Sequence, residues 1–427
     1  MGDGNRQDLI VRALSLLPAA ARGPVMSPGH AMVIREGRGS RIIDTDGKEY
    51  IDYLLGSGPL LVGHAHPAVV EAVARQLEKG SSFLLTSEPA VELAERLCEA
   101  VPAAERVSFA NSGTEAVLYA LRLARAHRGR DKVLKFEGAY HGQSDAMLMS
   151  NQWTAASAAA AVPNSLGIPQ AVAEEIVVAP FNDAERSTEL IEAHADELGA
   201  VIVEPLQRTL PPRPGFLESL RQATSSAGVP LIFDETVTGF RLAWGGAQER
   251  YGVVPDLCVL GKSISAGHPL GVVCGRADIM SMAEAERQGT GGYVSITGTY
   301  SGNPVSATAA LAVIDVLGEP GVYEDLDRRG RRLMDGLEAS LADAGIAVTV
   351  TGEPSAFQPW FMEGEARDHA SLLEADMELL GRFTELLLAE GVMKAHEKFF
   401  VSVVHSDDDI EQTLAAFDAV AAGLAAE

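Results

Sequence analysis

The chain has 427 residues, 47% hydrophobic and 22% charged, and its 34 Lys+Arg against 59 Asp+Glu leave a formal charge of −25. Such a chain has ample apolar material for a large core divided into two or three domains, and its ordinary Gly and Pro usage excludes disordered and fibrous architectures. The surplus of negative charge excludes nucleic acid and anionic membrane surfaces as partners, because both are bound by clustered Lys and Arg.

Residues 7–17 predict a short helix, followed by a Pro/Gly-rich stretch over 18–28. The run RIIDTDGKEYIDY then alternates apolar and polar residues across Asp46-Gly47, which predicts a β-hairpin. From Pro67 onward, helical patterns at 67–78, 90–100, 114–128, 183–197 and 215–227 alternate with the short apolar runs RVSFA, KVLKF, AVIVEP, PLIFDE and DLCVLG. That alternation predicts an α/β layer with a mostly parallel sheet, whose active groups gather at strand C-termini. From about Val305, long helical segments frame strands near 347–351, 359–362 and 399–404, the pattern of a smaller α+β domain.

No run approaches the roughly 18 apolar residues of a membrane span. Arg6 stands where a myristoylation signal needs Ser or Thr, and no apolar signal core follows, which predicts a cytoplasmic protein. Cys98, Cys258 and Cys274 are odd in number and lack CxxC spacing, so they are read as packing residues in a reducing compartment rather than as disulfides or metal ligands.

Three strand ends carry chemistry. In VSFANSGTEA, Ser112 and Glu115 have capping-box spacing, Gly113 permits close approach, and the helix start offers unpaired N–H groups to an anion. An ordinary capped helix explains the same residues. In PLIFDETVTGF, Asp234 and Glu235 close an apolar strand, where a carboxylate seeks a cationic partner, although a turn acid would look the same. In DLCVLGKSISAG, Lys262 ends the next apolar strand, either as a desolvated amine suited to Schiff-base chemistry or as a lysine leaving the sheet for solvent. Together a phosphate cradle, an acid for a pyridine nitrogen and an amine for an aldehyde match the needs of pyridoxal 5'-phosphate.

The ordered motifs NSGTEA, KFEGAYHG, IFDETVTGFR, GGAQERYGVVPDLCVLGK and GTYSGNP resemble those of the class III pyridoxal-phosphate-dependent aminotransferases, in particular the glutamate-1-semialdehyde aminomutase branch, from about Gly39 to His405. The resemblance implies a fold type I transferase with an N-terminal segment 1–60, a large cofactor domain 61–305 built on a mostly parallel seven-stranded sheet, and a C-terminal small domain 306–427. It implies a Schiff base on Lys262, which also moves the proton, and pairing of Asp234 with the pyridine nitrogen. Ser112, Gly113 and Thr114 would hold the phosphate, Tyr140 would stack on one face of the ring, and Thr236 would lie beneath the other. Thr299 would reach the cofactor phosphate of a partner subunit in a homodimer. His141 and Glu235 would support the site, Glu204 would be a strand-end acid behind it, and Arg241 would form a structural ion pair.

Departures from the aminomutase pattern bear on the substrate. Ser57 stands at the position of a Trp, Thr209 in EPLQRTLPP stands roughly opposite an Asn, and Met26, with Arg22 nearby, stands where an Arg would anchor a carboxylate. His268 replaces an apolar residue after the lysine, and Glu397 keeps a family acid between unmatched neighbours. These changes favour an aminotransferase acting on another amine or oxo substrate, with the aminomutase as the alternative. A non-catalytic cofactor-binding sensor is the reading from another class, and the presence of Lys262, Asp234 and Tyr140 together argues against it.

Overall fold

The structure is a computed structural model that describes residues 3–17, 32–151, 161–394 and 398–426. It divides into two compact units, one formed by 1–67, 320–365 and 375–427 and the other by 68–319 and 366–374. The second division falls after Glu319 rather than at 305, because the apolar helix Pro304–Leu317 packs on the helix Glu88–Ala100 of the larger unit.

In the smaller unit, strands β1 (Ile34–Arg38), β2 (Arg41–Asp44) and β3 (Glu49–Tyr53) form an antiparallel meander. The predicted hairpin is present: Gly47 takes φ 88°, and Asp44 Oδ1 accepts from the amides of Asp46 and Lys48, both at 2.9 Å. The Asp side chain thus closes the turn locally, and glycine supplies the left-handed backbone.

The larger unit holds β4 (Arg106–Ala110), β5 (Lys132–Phe136), β6 (Ile176–Ala179), β7 (Leu198–Val203), β8 (Leu231–Asp234), β9 (Leu257–Leu260) and β10 (Gly271–Gly275). They form one seven-stranded sheet in the order β4-β10-β9-β8-β7-β5-β6, parallel except for β10, which is antiparallel to both neighbours. Every residue of β7, β8 and β9 is buried, as strands covered on both faces require. The helix Gly113–Arg128 lays Val117, Leu121 and Ala124 against sheet residues including Ile202, Ile232 and Val259, and Gly129 at φ 69° ends it. With β8 and β9 adjacent, Asp234 lies in register with Val259, and Lys262, two residues beyond the end of β9, is near enough to feel its charge.

The remaining strands belong to the smaller unit: β11 (Thr349–Glu353), β12 (Ala356–Trp360) and β14 (Phe399–Phe400) form an antiparallel sheet, and β13 (Val392–Lys394) pairs in parallel with β3. Cys258 and Cys274 are buried, whereas Cys98 is exposed on the outer side of its helix, so the expectation of packing fails there. Among the described residues no single helix is long and apolar enough to cross a membrane.

Candidate active site

The residues nominated for catalysis and cofactor binding all lie in the larger unit. The turn after β4 carries the first group. Ser112, in extended conformation, accepts from the Glu115 amide through Oγ at 3.2 Å. The Glu115 carboxylate takes the amide of Asn111 at 2.7 Å rather than that of Ser112, so the expected capping box is shifted by one residue. The first amides of this helix, at Gly113 and Thr114, have no carbonyl one turn back to bond, and with the helix dipole they suit a phosphate.

Close approaches gather the other elements around that helix start. A Cβ on Gly113 would lie 3.2 Å from the methyl of Thr236, and one on Gly261, beside Lys262, would lie 3.4 Å from the same methyl. A Cβ on Gly271 would lie 2.2 Å from the Ser112 carbonyl oxygen, so only glycine allows β10 to pass this turn. From the other side, the loop after β5 packs Gly142 on Thr114, and the Gln143 amide donates to Thr114 Oγ1 at 3.2 Å.

That loop also positions Tyr140 and His141. Tyr140 donates its amide to Glu204 Oε1 at 2.6 Å, its hydroxyl accepts from Gln143 Nε2 at 2.7 Å, and the Arg208 guanidinium lies 5.4 Å from its ring centre. Glu204 also accepts the Arg208 amide at 2.9 Å, so one carboxylate at the end of β7 ties two loops together. His141, fully buried, has Nδ1 2.8 Å from Asp234 Oδ2, while Thr236 donates to Asp234 Oδ1 from its amide at 3.1 Å and its hydroxyl at 2.5 Å. An ionised carboxylate only accepts, so Nδ1 carries the proton. The His141 Nε2 is buried and has no partner among the described residues.

The electrostatics follow from these contacts. Burial opposes ionisation of Asp234, but donation and charge from His141, together with the Thr236 bonds, outweigh it and hold the carboxyl below its usual range. Burial pushes the Lys262 amine down against the attraction of Asp234 and Glu204, and the charges of Arg208 and Arg241 push in the same direction as burial. The site thus pairs a persistent anion with an amine that gives up its proton more readily than a free lysine.

The other nominated residues fall in different roles. Glu235 is buried and accepts from the Thr238 hydroxyl, the Ala247 amide and Gln248 Nε2, so it caps a neighbouring helix. Arg241 is buried and donates Nε to the Val237 carbonyl at 3.0 Å. His268 donates its amide to the Ser265 carbonyl in a turn, and partial burial lowers its pKa. Thr209 is buried, and Thr299 is exposed in a turn beside Ser301, whose hydroxyl accepts from Asn111 at 3.4 Å. Ser57, at φ 70°, is exposed in the smaller unit. Arg22, Met26 and Glu397 lie outside the described residues. Sequence reasoning passed over Lys135, Gln143 and Arg208; a lysine inside the apolar run KVLKF was the one visible signal for the first.

The residues present fit a cofactor that combines a phosphate, a basic ring nitrogen and a carbonyl: a helix start cradled by glycine, a carboxylate kept ionised, and a partly desolvated amine. Comparison with known proteins agrees. Residues 24–420 match the family model for class-III aminotransferases. A glutamate-1-semialdehyde 2,1-aminomutase from Desulforudis audaxviator is 43% identical over 418 residues, covering 96% of this chain and 95% of that protein. Among solved structures, an omega-transaminase from Sphaerobacter thermophilus superposes with a TM-score of 0.93 at 36% identity, covering 99% of this chain and 98% of the other. A transaminase with PLP bound gives 0.91 at 31% identity, covering 100% and 99%.

Proposed function

Because the chain belongs to the class III aminotransferases, whose cofactor is pyridoxal phosphate and whose fold is type I, we propose that it moves an amino group between carbon atoms with Lys262 as the amine at the cofactor's carbonyl carbon. When bound, the cofactor supplies that electrophilic carbon and a protonated ring that draws electrons from the substrate. The observation that carries the reading is the pairing, on adjacent strand ends, of an Asp234 kept ionised with a Lys262 whose proton is loosely held.

The chain's own groups divide the work. The amides of Gly113 and Thr114, with Ser112, bind the phosphate. Asp234 keeps the ring nitrogen protonated, with His141 and Thr236 holding both carboxylate oxygens in place. Tyr140 flanks the ring, its backbone fixed by Glu204. Lys262 Nζ would take a proton from the substrate carbon that bears the nitrogen and deliver it to the carbon on the nitrogen's other side, which an amine does only while a useful fraction is neutral.

The name of the curated relative supports glutamate-1-semialdehyde 2,1-aminomutation, in which donor and acceptor carbons belong to one molecule, and so favours the alternative over the other-substrate preference drawn from the sequence. Transfer between separate donor and acceptor is the second reading, favoured by the omega-transaminase likeness and by Ser57 at the Trp position. Incubation with glutamate 1-semialdehyde alone separates the two. Formation of 5-aminolevulinate without an added amine supports aminomutation; no product, together with conversion of bound cofactor to its amine form by an added amine donor, supports the second reading.

The active unit is a homodimer in which Thr299 meets the partner's cofactor phosphate. Light scattering gives the mass, and Thr299→Val should weaken cofactor binding.

A further inference from the structure

Lys135 lies on β5, is fully buried, and is not among the groups used above. A buried ammonium persists only where its protons are satisfied. Its Nζ donates to three main-chain carbonyls: Ala139 at 3.1 Å, Met147 at 3.1 Å and Met149 at 2.5 Å. All three belong to the irregular segment that follows β5, where carbonyls lack ladder partners and would otherwise be buried unsatisfied. The segment is closed at its base by the Gly138 amide donating to the Ser150 carbonyl at 2.7 Å, so the ammonium sits inside the loop and draws its two arms together. Glu204 and Arg208 are the charged groups it feels, and they act on it in opposite directions.

The position of the first anchor matters. Ala139 immediately precedes Tyr140, which bonds Glu204, and His141, which bonds Asp234; Gln143 then bonds Thr114 at the helix start. One cation therefore fixes the root of a loop whose next four residues touch the ring-flanking, ring-nitrogen and phosphate parts of the site.

We propose that Lys135 is the positioning residue of this site, its ammonium gathering the Ala139, Met147 and Met149 carbonyls so that the loop presents Tyr140 and His141 in register with Asp234. The inference rests on the reading of the site as a pyridoxal phosphate site. Three proteins test it: wild type, Lys135→Met, which keeps the stem and removes all donors, and Lys135→Gln, which restores two N–H donors. Each is stripped of cofactor and titrated with pyridoxal phosphate at pH 6, where Lys135 carries its third proton, reading the dissociation constant and the visible circular dichroism per bound cofactor, which reports how the ring is held.

Lys135→Met should weaken cofactor binding by about tenfold or more and at least halve the ellipticity per bound cofactor, with Lys135→Gln between it and wild type. A lysine that only stabilises the fold would lower the melting temperature and leave both readouts unchanged in a folded variant; that result overturns the inference. If Lys135→Met does not fold, Lys135→Gln decides by the same criteria. Failure of the wild type to bind pyridoxal phosphate would instead defeat the reading of the site.

Discussion

Gly142→Ala tests the packing that joins the Tyr140 loop to the phosphate-binding turn. Gly142 has φ 87°, and an added Cβ would lie 2.6 Å from Thr114 Oγ1, 2.8 Å from its Cα and 3.1 Å from its Cβ. The left-handed backbone alone costs an alanine about 1–2 kcal/mol. Relieving overlap with a backbone atom in the first turn of a helix adds about 1–3 kcal/mol, since Thr114 cannot rotate its Cα away. Gly129, at the other end of the same helix, has φ 69° and nothing within 4 Å of its added Cβ, so Gly129→Ala carries the backbone cost without the overlap. Thermal unfolding and cofactor titration of both variants separate the terms. Gly129→Ala should lose about 1–2 kcal/mol and bind pyridoxal phosphate as wild type does. Gly142→Ala should lose about 2–5 kcal/mol and bind the cofactor about tenfold or more weakly, because the strain falls on Thr114. Equal cofactor affinity in the two variants would refute the reasoning.

Lys135 has its pKa lowered by burial from 10.5 to about 7. Between those values the unfolded chain holds a proton that the folded one has released, so this group makes the fold more stable as pH rises, by about 1 kcal/mol per unit. Urea unfolding of wild type minus Lys135→Met, compared at pH 7 and 9, should show the difference; a flat difference removes the assigned shift. Asp234 is held below its usual range by His141, so its anionic state persists as pH falls. In His141→Phe, cofactor release on acidification should begin at higher pH, and an unmoved release curve would count against the pair. Glu204→Gln keeps one acceptor for the Tyr140 or Arg208 amide and turns an NH₂ toward the other, which should cost about 1–3 kcal/mol and lower the melting temperature measurably. An unchanged melting temperature would show that this carboxylate does not tie the two loops.

The sequence was informative where chemistry is local. The Asp46-Gly47 hairpin, the strands ending at Asp234 and near Lys262, and the capped helix after Asn111 each declare themselves in short patterns. β10 escaped because glycine stands at both ends of its short apolar run, whereas β6, an edge strand no shorter than β8 or β9, was passed over with no physical reason. Strand order was also hidden: the antiparallel passage of β10 between β4 and β9 is a tertiary fact. The same holds for His141, which meets Asp234 from 93 residues away, and for Lys135, whose partners are carbonyls and leave no trace in side-chain identity. Cys98 shows the converse, an apolar residue type on a helix face that the fold leaves exposed.

The central claim is that Lys262 is the amine that joins the cofactor. Borohydride reduction of the pyridoxal-phosphate-loaded protein, followed by peptide mass spectrometry, should find the reduced adduct on the peptide containing Lys262 and none in Lys262→Ala, which should also lack turnover. An adduct confined to another lysine, or normal turnover by Lys262→Ala, would contradict the account.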